Sequence, residues 1–170
     1  MINLEIVIQQ LAGNAEALRA LIETVTAEQE QWKPDSETWS MKEVMAHVYN
    51  EERMDFRLHL KEMLNDPPQA WGERREAYLP VENCRQALES FLAERKASID
   101  WLKEQSSANW DTESRATFGP SEEVVVLRAG DVLVSWVAHD YLHLRQMIEL
   151  LFAWNEKQAL PYAVPYAGGW

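Results

Sequence analysis

Four stretches of this chain carry apolar residues at alternating steps of three and four, and that spacing admits few folds beyond packed amphipathic helices. The first stripe is Leu4, Val7, Ile8, Leu11, Ala15, Leu18, Ile22 and Val25, which predicts one helix from Leu4 to about Gln31 with Asn3 as its N-cap. Lys33-Pro34-Asp35-Ser36 interrupts it, since proline lacks an amide donor and disfavours helix in the residue before it. A second helix opens at Ser40, where Ser40-Met41-Lys42-Glu43 spells a capping box, and is expected to run to about Leu64. Asn65-Asp66-Pro67-Pro68 stops it. The mixed segment up to Leu79, with Trp71 and Gly72, predicts a long loop across one end of the molecule. Pro80 can start a third helix whose stripe is Cys84, Ala87, Leu88, Phe91, Leu92, Ile99 and Leu102, ending near Ser106-Ser107. Residues 108–128 form another long connection, with a turn at Phe118-Gly119-Pro120-Ser121 and a short extended piece at Val124-Val125-Val126-Leu127. The fourth helix begins at Gly130-Asp131 and continues through Trp154. The prolines and the Gly168-Gly169-Trp170 ending predict an irregular tail that packs back on the body.

Four such segments bury their stripes most simply as a four-helix bundle, so the expected class is all-α, with long loops and an irregular C-terminal tail. At 170 residues and 46% hydrophobic composition, residues 1–170 fit a single domain. No apolar run is long enough to cross a bilayer, and Met1-Ile2-Asn3-Leu4-Glu5 does not begin a basic-then-apolar leader, which predicts a cytoplasmic protein without a membrane partner. The net charge of −12 opposes approach to a phosphate backbone, and the basic residues are scattered among more numerous acids, so no nucleic-acid partner is expected. Cys84 is the lone cysteine and cannot form an internal disulfide; its place in an apolar stripe assigns it to the core. Eight tryptophans supply large contact surfaces, suited to a small-molecule pocket wall or a homodimer face as well as to a core.

The chemistry concentrates in Ser135-Trp136-Val137-Ala138-His139-Asp140-Tyr141-Leu142-His143-Leu144-Arg145-Gln146. Residues four apart on a helix differ by only about 40° in azimuth, so His139 and His143 point the same way and can share a divalent metal. Helix two supplies His47, with Glu51 about 40° from it, whereas Glu52 and His59 lie more than about 100° away. His59 is therefore expected to be solvated. On helix four, Gln146 falls about 20° from His139 and can line the site, while Asp140, about 100° off, suits an outer or inter-helix contact. Three imidazoles leave a metal with an open position, and zinc or nickel suits such donors. Glu51 is a candidate fourth ligand or a base towards water, and spacing does not separate the two roles. A bland alternative has these side chains merely hydrogen-bonded inside the bundle. His139-Asp140-x-x-His143 also echoes the zinc-protease H-E-x-x-H pattern, but its acid is one methylene short and no downstream glycine–histidine signature follows.

The pairing of Trp39-Ser40-Met41-Lys42-Glu43-Val44-Met45-Ala46-His47 with His139-Asp140-Tyr141-Leu142-His143-Leu144-Arg145-Gln146 resembles the DinB-like superfamily, and the resemblance extends from the first helix to the Tyr166-Ala167-Gly168-Gly169-Trp170 ending. It implies a four-helix bundle with a three-histidine metal site at His47, His139 and His143. It also implies a range of activities, because the family holds damage-inducible proteins, S-transferases using bacillithiol or mycothiol, a mycothiol-dependent maleylpyruvate isomerase and metal-dependent hydrolases. Sites diverge faster than folds. Metal-assisted transfer of a low-molecular-weight thiol to a small electrophile is the expected reaction, since an open metal position can hold a thiolate. The same position can activate water for hydrolysis, and a non-catalytic metal or small-molecule binder is the third reading.

Overall fold

Asn3 caps the first helix, α1 (Leu4–Glu23), by accepting the Ile6 amide at 3.2 Å. In the computed structural model, which describes residues 2–68, 77–118 and 123–168, that helix is shorter than its stripe predicts. The Thr24 hydroxyl donates back to the Leu21 carbonyl at 2.9 Å, and Thr26 forms a capping box with Gln29 that starts a separate short helix, α2 (Ala27–Gln31). Threonine side chains here offer the backbone local partners that compete with the helical ladder.

The capping box predicted at Ser40 is present, with the Glu43 amide donating to Ser40 Oγ and the Ser40 amide to Glu43 Oε2 at 2.7 Å. The helix it opens does not run unbroken to Leu64. It divides at Asp55, whose φ of −120° and ψ of −95° leave the helical well, into α3 (Met41–Met54) and α4 (Phe56–Leu64). The break resets the phase, which corrects the expectation for His59. Its ring is buried, with Nε2 3.1 Å from Asp55 Oδ1 and Nδ1 3.1 Å from Glu62 Oε2. Burial alone lowers its pKa, but those two carboxylates more than reverse this and raise it above the usual histidine value.

The third long helix, α5 (Cys84–Lys103), begins after Pro80 because Asn83 caps it and because Leu79 is already committed elsewhere: both its amide and its carbonyl are bonded to the Asn50 side chain. The connection after α5 is more regular than expected. The valine run pairs with Ser114–Thr117 in an antiparallel hairpin of β1 (Glu113–Phe118) and β2 (Glu123–Arg128), as consecutive β-branched residues favour. The last helix, α6 (Ala129–Ala159), follows directly, its first amides taken by the carbonyls of Thr112 and Trp110. Gly130 gives the close approach room, since a Cβ would stand 3.2 Å from the Trp110 carbonyl and would push the end of the Ile2 side chain, 2.7 Å away, aside. Beyond α6 the chain makes a single 3-10 turn, Pro165–Ala167, and Tyr162 and Tyr166 face solvent, so this part of the tail does not pack back as expected. The loop expected around Trp71 and Gly72, the Gly119-Pro120-Ser121 turn and the Gly169-Trp170 end lie outside the described residues.

In the bundle, α1 packs on α5 and α6, and α3 packs on the same two from the other side, with α4 extending α3 along α6. The interior is two apolar clusters. One gathers Leu18, Met45, Val48, Phe91 and Met147, and the other Leu11, Leu60, Leu102, Leu133 and Trp136. Between them lies a polar layer with one residue from each long element, Asn14, Glu52, Arg95 and Asp140, all buried. Its sequence neighbours Glu51 and His139 stand beside it.

Candidate metal centre

Helix α3 carries His47, and α6 carries His139 and His143 one turn apart. Their rings meet where the two helices face each other. His47 Nε2 lies 3.2 Å from His139 Nε2, and His143 Nε2 lies 3.1 Å from the same atom. Among the described residues this is the one group of three or more histidine, cysteine or carboxylate side chains whose donor atoms all fall within 4.8 Å of one another.

The other ring nitrogens explain why the Nε2 atoms converge as electron donors. His143 Nδ1 is 2.9 Å from Gln146 Oε1, an oxygen that can only accept, so the proton belongs on Nδ1 and Nε2 keeps its lone pair. His47 Nδ1 lies 3.4 Å from the Tyr78 hydroxyl oxygen and 3.7 Å from Glu51 Oε1, and the Tyr78 hydroxyl donates to that carboxylate oxygen. His139 is held neutral: burial first, then the charges of His143 and His47, push its pKa down to about 3. Burial likewise lowers that of His143, against the opposing hydrogen bond to Gln146. Three closely set imidazoles, with burial lowering the pKa of His139 and His143 and the His143 lone pair turned inward, fit a divalent cation.

Aromatic rings wall the cluster. Trp39 meets His47 edge-on with centroids 5.2 Å apart, and Phe56 stands 5.1 Å from His139 while stacking on Trp136 at 5.6 Å. Trp39 and Tyr78 are each about two-fifths exposed, which gives the outer side of the cluster an aromatic rim.

The structure thus brings His47, His139 and His143 together. Glu51 sits next to them but faces the His47 nitrogen that points away from the other rings. Gln146 stands behind His143 rather than across from the three Nε2 atoms. Asp140 makes the inter-helix contact its phase implied, accepting from Arg95 on α5 and Asn14 on α1. Trp39, Phe56 and Tyr78 stand outside the neighbours expected from the sequence. Phe56 depends on the break in the helix. Tyr78 lies outside any periodic segment, so only the tertiary structure locates it. Cys84 is buried with its amide donating to Glu30, and burial, helped by that carboxylate, pushes the thiol pKa up to about 12, as befits a core residue.

Comparison with known proteins follows the same lines. YfiT from Bacillus subtilis, described as a probable metal-dependent hydrolase with an unusual four-helix bundle topology, superposes with a TM-score of 0.74 at 15% identity, covering 91% of each chain. At that identity the likeness speaks for the fold. No curated protein matches the sequence. Residues 10–147 match the DinB superfamily, and with the bundle and the histidine cluster in place the chain belongs to that superfamily.

Proposed function

We propose that this protein is a metal-dependent hydrolase of small molecules, with a divalent cation, zinc or nickel, held by His47, His139 and His143. The observation that carries the reading is the approach of His47 Nε2 and His143 Nε2 to within 3.2 and 3.1 Å of His139 Nε2, with the opposite nitrogens of His47 and His143 hydrogen-bonded elsewhere. A divalent ion bound there supplies Lewis-acid chemistry, lowering the pKa of a water and polarising a substrate oxygen. The chain's own part is to hold, orient and shield. Gln146 keeps the His143 lone pair turned inward, and Phe56 and Trp136 close the inner side to bulk water. Trp39 and Tyr78 offer exposed ring faces to an apolar part of a substrate.

The thiol-transfer expectation rests on the same open position, and among the described residues none around the cluster favours a thiolate over water there. The structural kinship with a probable metal-dependent hydrolase also favours hydrolysis. The test is elemental analysis of the purified protein and of three single variants, His47→Ala, His139→Ala and His143→Ala, followed by assays of esters, amides and lactones. About one ion per chain, sharply lower in each variant, together with turnover that disappears in His47→Ala, is the expected result. Conjugation of a low-molecular-weight thiol to an electrophile without any hydrolysis would favour transfer instead. Full metal retention in all three variants would refute the site.

A further inference from the structure

Residues 77–79 run across the outside of α3 and are fastened to it by two of its side chains. Asn50, fully buried, donates from Nδ2 to the Leu79 carbonyl at 3.1 Å and accepts the Leu79 amide on Oδ1 at 2.8 Å. Arg53 donates from Nη2 to the Ala77 carbonyl at 3.1 Å. Tyr78 lies between these anchors. Its hydroxyl reaches inward to Glu51 Oε1 and to within 3.4 Å of His47 Nδ1, with the two rings tilted and their centroids 6.2 Å apart. A segment without regular secondary structure is thereby bonded on both sides of one residue, and that residue's polar atom meets the back of a metal-ligand candidate.

From this arrangement we infer that Tyr78 is a positioning residue for His47, acting together with Glu51; the inference rests on the metal-binding reading of the three histidines. The hydroxyl oxygen accepts from His47 Nδ1–H while its own proton is donated to Glu51. The ring is then confined to the tautomer whose Nε2 lone pair faces His139 and His143. Glu51 serves as the final acceptor of this chain, 3.7 Å from Nδ1 and on the side of the ring away from Nε2. Carboxylate or hydroxyl partners on the far nitrogen of a ligating histidine fix its orientation and raise its basicity, and losing one typically weakens metal affinity roughly 10–100-fold.

The test uses the full chain, the parent and the variants Tyr78→Phe, Glu51→Gln and Tyr78→Ala. Zinc affinity is read by competition with a chromogenic chelator, the visible spectrum after cobalt loading, and the thermal midpoint of the metal-free protein. Tyr78→Phe keeps the ring and removes only the hydroxyl. It should weaken zinc binding by roughly tenfold or more and shift the cobalt bands, while the metal-free protein stays folded with only the small drop in midpoint that one lost hydrogen bond to Glu51 implies. Glu51→Gln should move affinity and spectrum in the same sense. If Tyr78→Phe matches the parent in affinity and spectrum, and only Tyr78→Ala is impaired, the ring packs and the hydroxyl does not position, which overturns the inference while leaving the metal site standing. A parent that binds neither zinc nor cobalt overturns both this inference and the reading beneath it.

Discussion

Arg95 and Asp140 meet inside the bundle through a two-pronged contact, Nη1 to Oδ2 at 2.7 Å and Nη2 to Oδ1 at 2.9 Å, one residue along the chain from His139. Arg95 Nη2 also donates to Glu52 Oε2 at 2.8 Å, beside Glu51, and Trp136 Nε1 donates to the same oxygen at 2.9 Å. Asn14 on α1 completes the layer by donating to Asp140 Oδ2 at 3.2 Å, and Arg95 Nη1 reaches the Leu11 carbonyl at 3.0 Å. One guanidinium thus ties α5 to α1, α3 and α6 at the level of the histidines. Apolar packing is adaptable in register, whereas these directional bonds are satisfied in one arrangement of α1, α3, α5 and α6, the arrangement in which His47 meets His139.

Removing the guanidinium should therefore be costly. Arg95→Ala leaves two buried carboxylates without their cation, and breaking a buried ion pair from one side typically costs about 3–5 kcal/mol. Urea unfolding should show a lower midpoint, and the zinc affinity of the folded fraction should fall as α3 and α6 lose their shared anchor. Replacing Arg95, Glu52 and Asp140 together by apolar residues of similar size should recover much of the stability. It should not recover the metal affinity if the layer sets the register, and a triple variant with both restored would show that packing alone sets it.

Two histidines should give the metal-free protein opposite pH dependences. His59 has a folded pKa above 6.5, because the pull of Asp55 and Glu62 outweighs burial. Its contribution to stability is complete below pH 6.5 and is lost as pH rises through the raised value. His139 has a folded pKa of about 3 against an ordinary 6.5, burial being the largest cause. Between those values the unfolded chain takes up a proton that the folded one refuses, so stability falls as pH drops from 6.5 towards 3. Urea midpoints measured across pH in the presence of a chelator should show both slopes. His59→Gln should flatten the alkaline side and His139→Phe the acidic side. An unchanged profile in either variant would assign the corresponding slope to other groups.

Much of this arrangement was legible in the sequence, and the rest was not for identifiable reasons. Steps of three and four mark the stripes of the four long helices but not the breaks after Glu23 and at Asp55, and azimuth marks the shared face of His47 with Glu51 and of His139 with His143. Phase arithmetic fails across a break: no proline or glycine at Asp55 announces one, so azimuth places His59 in solvent although it is buried. The polar layer did leave a signal. Arg95 falls four residues after Phe91 in its stripe, Glu52 follows Val48 and Asp140 follows Trp136 at the same interval, so charged residues occupy core positions on three helices. A charge at a core phase on several helices implies that those charges meet. Tyr78 left no such trace, since its position is set by Asn50 and Arg53 rather than by any period.

Cys84 provides a probe of how the bundle opens. Its side chain is buried at the first turn of α5, in the apolar cluster with Ile22 and Met45, and its thiol pKa stands at about 12 through burial first and the nearby Glu30 second. At pH 8 the folded protein therefore presents almost no thiolate, and the thiolate is the form that attacks a disulfide reagent. An unfolded cysteine, with a pKa near ~8.5, presents a substantial fraction. Labelling by an aromatic disulfide should be slow in buffer, accelerate with urea well below the global midpoint if the α5 N-terminus opens locally, and track global unfolding if it does not. Glu30→Gln removes the carboxylate near the thiol and should speed labelling modestly, with burial still in force. Rapid stoichiometric labelling in buffer at neutral pH would mean that the thiol is accessible, and would overturn its assignment to the core.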